Sequence, residues 1–379
     1  TAERIFDGTA MLEGHALVID GAQIAAVVPL AKAPPPTARL AGTLAPAFLD
    51  LQVNGGGGHQ IGAGTDLSGL AQVCATHRAL GCAGVLPTLI TDTPEVTAQV
   101  IDAGIAAARQ GVPGFLGLHL EGPHLDPARH GAHDPALIRP MDEDDLNRLC
   151  TAAGNLPALM VTLAPASVSP DQIARLTAAG VIVSLGHADC SIEQAEAAFA
   201  AGATCATHLF NAMSQLQPRA PGLVGAVLSG RVQAGLIADL IHVQPAALRV
   251  ALAARAEGLF LVSDCMGLAG TALTDMHLNG RKLLRSEGRL TLEDGTLAGA
   301  DLTLDQAIAN LVGLGIAPTR ALAMTSAEPA RLIGLSDRFG RLEAGRVADL
   351  VWLGPDWRLR GQWFGGQRLD AQTADAAFI

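Results

Sequence analysis

FLGLHLEGPH, residues 115–124, is an apolar run that stops abruptly on a carboxylate, a glycine and a proline. Phe115, Leu116, Leu118 and Leu120 are too few for a helix and are closed by Gly122-Pro123, so the run reads as a buried strand over 115–121 that ends on Glu121. A carboxylate in that position is costly unless it meets a cation. A structural ion pair would supply one. So would an active site, because the C-terminal strand ends of a parallel α/β barrel are where such sites lie.

Working outward from this strand, the same rhythm of strand, loop and amphipathic helix repeats from Thr43 onward. Eight strands are expected, at 44–53, 84–91, 115–121, 159–165, 181–187, 205–210, 232–239 and 259–264. Between them lie helical stretches at 67–80, 94–110, 142–153, 170–179, 191–201 and 244–257. Ser169-Pro170-Asp171-Gln172 and Ser191-Ile192-Glu193-Gln194 fit capping boxes, with Gly180 and Gly202 where those helices stop. Eight such units in series are the pattern of an α/β fold of the (β/α)8 TIM-like barrel type. Ahead of them, Asp7-Gly8 and Asp20-Gly21 are hairpin signals between short apolar pieces, and Pro34-Pro35-Pro36 marks a stiff connection. After residue 265 an insertion carries Asn279-Gly280 and Asp294-Gly295 turns, followed by helical stretches at 302–314 and near 319–335. The tail again reads as strands. The expected domains are therefore a small β-sandwich from 1–43 and 340–379, and a catalytic barrel over 44–339.

The chain has 379 residues, 49% hydrophobic and 16% charged, with a formal charge of −11. That charge disfavours nucleic acid and anionic membrane surfaces as partners. The six cysteines are scattered without a CxxC pair, which suits a reducing cytosol. Glu3, Asp7, Glu13 and Asp20 lie where a secretion signal would need an apolar core, and the uncharged stretch 151–170 holds three prolines, so neither a signal peptide nor a membrane span is expected. A cytoplasmic protein follows from these readings.

The remaining strand ends carry the chemistry. Strand five ends SLGHAD with His187, strand six ATHLFNAM with His208, strand eight LVSD with Asp264, and His242 lies just past strand seven. Each alone has a structural explanation, but four converging on one rim are hard to reach by accident. Glu121, His187 and His208 form a two-histidine, one-carboxylate set with an open fourth position, as catalytic zinc requires, leaving Asp264 free as a base. No Walker-type GxxxxGK[ST] is present, so nucleotide triphosphate binding has no support.

The chain resembles the N-acetylglucosamine-6-phosphate deacetylase family of the amidohydrolase superfamily. The resemblance runs nearly end to end, on AFLDLQVNGGGG, HLEGP with HGAH ending at His133, GHAD, THLFNAM, RAPG at 219–222, ADLIH, VSD, DGTLAGADLT and GRLEAGRVADL. It implies one divalent metal ion, zinc first with iron, cobalt or manganese as alternatives, on Glu121, His187 and His208. It also implies Asp264 as catalytic acid/base and His242 as a residue that polarises the substrate carbonyl. Implied substrate contacts are Ala132, His133, Asn211, Ala212, Arg219, Asp239 and His242 in the 239–242 segment, and Ala298, Gly299 and Ala300. Arg219 would fork onto a phosphate, and a neighbouring subunit of a homodimer can supply such contacts. The implied reaction removes acetate from N-acetyl-D-glucosamine 6-phosphate. N-acetylgalactosamine 6-phosphate, another amidohydrolase activity such as N-acyl-amino-acid hydrolysis, and a non-catalytic sugar-phosphate-binding barrel are the alternatives.

Two departures bear on that reading. Many amidohydrolases hold two metals with a His-x-His pair on strand one; here the positions are Gln52 and Asn54, so one metal is expected, with Gln52 at most touching it or its water. At Leu240 a glycine is common. His59 reads as a loop residue near a ligand or a mobile tip, His124 and His130 as solvated, and His15 and His77 as fold or surface residues. Cys265 beside Asp264 has nothing to activate it.

Overall fold

The computed structural model describes residues 1–369, so the last ten residues of the expected small domain lie outside the description. Eight strands form one parallel sheet in sequence order: Phe48–Val53, Cys82–Ile90, Leu118–Glu121, Leu159–Leu163, Ile182–Leu185, Cys205–Ala206, Gln233–Leu236 and Leu259–Leu261. Nearly every residue in them is buried, as expected of parallel strands covered by helices on the outside. The ring closes where strand eight meets strand one. There Val53 bridges Cys265, Asp264 donates its N–H to the Gln52 carbonyl at 3.0 Å, and Asn54 donates to that of Cys265 at 2.8 Å. This is the expected TIM-like barrel.

The strands are shorter than expected, for local reasons. The stretch 44–53 divides at Ala47: Leu40–Pro46 pairs with Ala2–Phe6 and Leu350–Leu353 in a separate sheet, and only Phe48–Val53 belongs to the barrel. Pro46 has no N–H to donate, and the chain leaves the first sheet there. Strand three starts its ladder at Leu118 rather than Phe115, because Gly117 turns to φ 137° while Phe115 makes a single bridge to Val85. Strands five, six and eight stop early, ahead of His187, His208 and Asp264, which lie within the expected strands and all take positive φ.

Helices begin where the caps direct. Ser169 and Ser191 accept from the N–H of Gln172 and Gln194, whose side chains reach back, opening Pro170–Ala178 and Ile192–Ala200. Gly222–Ser229 is a further helix after strand six, and the stretch near 319–335 is two short helices, Pro318–Ala323 and Ala327–Leu332. The insertion forms a four-stranded antiparallel sheet, Asp275–Leu278, Arg281–Ser286, Arg289–Leu292 and Leu297–Ala300, turning at Asn279-Gly280 and near Asp294-Gly295. It stands over the barrel mouth. A six-stranded sheet drawn from both ends of the described chain packs with the hairpin His15–Asp20 and Gln23–Pro29 around Ile5, Ile24, Leu44, Leu342, Ala348 and Leu350. The boundary expected at 43/44 thus falls inside a strand of the small sheet. No helix among the described residues is long and apolar enough to cross a membrane.

Gly117 offers a direct check on this framework. A Cβ there would lie 2.0 Å from the Ala158 carbonyl oxygen, in a backbone conformation that side chains rarely adopt. Gly117→Ala is expected to lower the unfolding free energy by at least about 3 kcal/mol, against about 1–2 kcal/mol for Gly111→Ala, where φ is positive but space is free. Urea denaturation of the two variants reads the difference.

Candidate active site

Alternation along Leu118–Glu121 sends His119 and Glu121 into the barrel, Glu121 at the rim and His119 one layer below. Nine non-glycine residues among those described have positive φ, and six of them lie on this rim: His187, His208, Phe210, Ala212, Leu240 and Asp264. Backbone strain of that kind persists where surrounding structure enforces it, commonly at functional sites. Here it swings side chains from the strand ends toward a common centre.

At that centre His208 Nε2 lies 3.0 Å from Glu121 Oε1, His187 Nε2 lies 3.3 Å from the same oxygen, and the two imidazole nitrogens are 3.1 Å apart. Donors about 2.0–2.1 Å from a tetrahedral cation stand roughly 3.3 Å from one another, so the three atoms fit a divalent metal. The proton position on His187 agrees. His187 Nδ1 lies 2.8 Å from the Arg129 carbonyl, which can only accept, so Nδ1 carries the proton and Nε2 presents a lone pair. His208 Nδ1 finds no partner among the described residues.

His133 must be told apart from these two, because its donor atom also lies within 4.8 Å of those of Glu121 and His187. Its Nδ1 is 3.2 Å from the N–H of Thr91, which can only donate. Nδ1 therefore accepts, the proton is on Nε2, and that N–H lies 3.9 Å from Glu121 Oε2. Burial, then the neighbouring His187, hold His133 well below the usual histidine range, so it is neutral. A neutral imidazole with its proton facing the cavity donates a hydrogen bond and does not ligate. Burial would raise Glu121, but His187 and His208 outweigh it and hold the carboxyl well below the usual range. Positive charge at this point, from imidazolium or from a metal, has the same effect.

Asp264 stands across from Glu121. Its Oδ1 accepts from Asn54 Nδ2 at 2.8 Å and from Gln52 Nε2 at 3.1 Å, while the same Gln52 nitrogen lies 3.2 and 3.3 Å from the two oxygens of Glu121. Gln52 thus serves two carboxylates as a donor rather than offering an oxygen to a metal. Asn54 shares this task, and its place two residues after Gln52, where alternation brings both side chains to one side, is the sequence signal for it. Burial and then the Glu121 charge push Asp264 up to about 6. Just past strand seven, Asp239 Oδ2 accepts from His242 Nδ1 at 2.6 Å, and its Oδ1 accepts the N–H of Ile241 and of His242 at 2.9 and 2.8 Å. This carboxylate holds the turn in which Leu240 takes φ 68°.

These groups open into a cavity of about 190 Å³ that Ala132, His133, Asn211, Ala212, His242, Ala298 and Gly299 also line. Ile90, Ile237, Met266, Leu278 and Leu297 add apolar walls that the motifs did not single out. Ala300 is buried beside the site, donating its N–H to the Asp264 carbonyl at 2.8 Å. Asp239 stands behind His242, and Arg219 is exposed, outside the lining of this cavity. His124 corrects an expectation. It is 2% exposed rather than solvated, its Nδ1 donating to the Arg139 carbonyl at 3.1 Å behind the Glu121 loop. His59 is half-buried, 3.1 Å from the Thr65 hydroxyl, and burial pushes the Cys265 thiol far up, leaving it inert.

Residues 43–369 match the model of the amidohydrolase family and residues 1–42 that of the NagA composite domain. The chain is 39% identical to an N-acetylgalactosamine-6-phosphate deacetylase of Shewanella sp. strain ANA-3, over 86% of this chain and 83% of that one. It is 37% identical to the human N-acetylglucosamine-6-phosphate deacetylase, over 88% and 84%. Among solved structures it resembles the N-acetylglucosamine-6-phosphate deacetylase of Pasteurella multocida, with TM-score 0.91 and 31% identity over 96% and 97% of the two chains. A mutant deacetylase from Mycobacterium smegmatis in complex with N-acetyl-D-glucosamine-6-phosphate matches with TM-score 0.89 and 33% identity over 97% of each chain.

The tautomers of His187 and His133, with His208 3.1 Å from His187, give the three histidines different expected behaviour. His187→Asn and His208→Asn are expected to lose the divalent metal on purification, whereas His133→Asn keeps one equivalent, as read by elemental analysis. Retention of metal in all three, or its loss from His133→Asn, would contradict the assignment.

Proposed function

This chain belongs to the amidohydrolase family, among its N-acetylglucosamine-6-phosphate deacetylases, and we propose that Glu121, His187 and His208 hold one divalent metal ion while Asp264 moves the proton in acetamide hydrolysis. The products are glucosamine 6-phosphate and acetate. The observation that carries the assignment is the meeting of three donor atoms 3.0–3.3 Å apart with a carboxylate opposite. Two nitrogens and an oxygen suit zinc first.

When bound, the metal supplies a water of pKa about 7 and a Lewis acid for the amide oxygen. The chain's residues do the rest. With Oδ1 of Asp264 occupied by two amides, its Oδ2 takes the proton from the attacking water and returns it to the departing nitrogen. His133 Nε2–H is a donor in the neutral ring and meets charge developing on oxygen. His242 lines the cavity with its Nδ1 held 2.6 Å from the Asp239 carboxylate behind it, which leaves its Nε2 for the substrate carbonyl. Asn211 and Ala212 line the end of the cavity suited to a phosphate. Arg219, exposed and outside the lining, serves the phosphate bound by a second copy of the chain in a homodimer. The six cysteines are all unpaired, which accords with a reducing cytoplasm. A second reading, preference for the galactosamine epimer, is favoured by the Shewanella relative.

Acetate release from N-acetylglucosamine 6-phosphate, N-acetylgalactosamine 6-phosphate and the unphosphorylated sugars tests the proposal. The first should be the best substrate and chelation should abolish turnover. Preference for an unphosphorylated sugar would refute the reading, and Arg219→Ala should raise KM for the phosphate ester with little change in kcat. Asp264→Asn should lower kcat by about 10²–10⁴-fold. A protonated Asp264 cannot accept a proton, so kcat/KM should fall on the acid side; burial and the Glu121 charge move that limb up and a bound cation moves it down. A pH profile flat down to pH 4 would contradict Asp264 as base.

A further inference from the structure

The barrel interior directly beneath Glu121, His187 and His208 is polar. His119 lies two residues before Glu121, Ser184 three before His187, and Thr207 immediately before His208, while Thr162 is paired with Glu121 across the ladder. None of the four is more than 2% exposed. His119 Nε2 lies 2.7 Å from Thr162 Oγ1, which lies 2.6 Å from Thr207 Oγ1, which lies 2.7 Å from Ser184 Oγ. His119 Nδ1 is 3.2 Å from the Leu51 carbonyl. Gly186 makes room for the meeting: a Cβ there would stand 2.8 Å from Thr162 Cγ2 and 2.9 Å from Thr207 Cβ.

The direction of each bond follows by elimination. A carbonyl can only accept, so His119 Nδ1 bears the proton and Nε2 accepts in the neutral ring. Thr162 must then donate to Nε2. Its oxygen accordingly accepts from Thr207, and Thr207 in turn accepts from Ser184. A single carbonyl on strand one, that of Leu51, orders the protons through strands three, four, six and five. The next residue along is Gln52, whose amide holds Glu121 and Asp264.

We propose that this directed chain, with Thr162 as its central residue, positions the strand tips so that the donor atoms of Glu121, His187 and His208 come within reach of one cation. The inference rests on the metal reading given above. A slip of any one strand would strand a hydroxyl or a ring nitrogen without a partner in a dry interior, a loss that the apolar residues around it cannot repair. Thr162 touches neither metal nor substrate, so it is a positioning residue.

Zinc affinity measured by chelator competition at 25 °C, beside the melting temperature of each variant, tests this. Thr162→Val keeps the shape but loses both bonds and leaves the His119 Nε2 unpaired, and it should weaken zinc binding by roughly 10-fold or more. Thr162→Ser, which restores the hydroxyl, should recover most of that loss. Val183→Ala, a cavity variant on the strand that carries Ser184, should lower the melting temperature without a comparable change in affinity. Should Thr162→Val fail to fold, Ser184→Ala removes only the terminal donor and should weaken binding about 2–10-fold. Zinc affinity unchanged in whichever of these variants folds would overturn the proposal, as would a loss in Val183→Ala equal to that in Thr162→Val. A wild-type chain that binds no zinc would instead refute the metal reading itself.

Discussion

Two carboxylates, Glu121 and Asp264, are buried in the mouth of the barrel and bridged by one amide nitrogen, that of Gln52. Like charges this close in a dry site cannot both remain ionised without compensation. The molecule compensates unequally. Glu121 is held ionised by positive charge where the His187 and His208 nitrogens meet it, imidazolium or metal, whereas Asp264 accepts from neutral amides and is pushed up to about 6. One acid is thereby suited to hold a cation and the other to exchange a proton. The division of labour follows from which partners each carboxylate meets.

Those partners come from separate strands, so their meeting depends on how the strand tips are set. Positive φ at His187, His208 and Asp264 turns each side chain inward just as its strand ends. The carbonyls of Arg129 and Leu51 and the N–H of Thr91 fix where the protons lie on His187, His119 and His133. Backbone groups thus decide which histidine can ligate and which can only donate. This is why the proposed role of His133, close as it is to Glu121, differs from that of His187.

Much of this was legible in the sequence, for identifiable reasons. Capping boxes at Ser169 and Ser191 act over four residues and need no tertiary context, so those helices begin where expected. The Glu121, His187 and His208 set was legible because each ends an apolar run, and the barrel repeat brings such ends to one rim. The break at Ala47 was marked only by Pro46, and that the two sides of it join different sheets depends on their pairing partners. The service of Gln52 to two acids depends on distances across the barrel, which no local pattern encodes. His124 was misread as solvated because its burial comes from the Arg139 segment, 15 residues away. The polar chain through Thr162 was invisible for the same reason, since lone threonines and serines in strands are unremarkable until their register is known.

The most direct measurement of the central claim is X-ray absorption at the zinc edge on the zinc-loaded protein. The account predicts a single metal per chain, with two imidazole nitrogens and oxygen donors completing the shell and no sulfur among them. A third imidazole, a sulfur ligand from a cysteine, or a second metal at about 3.5–4 Å would contradict it.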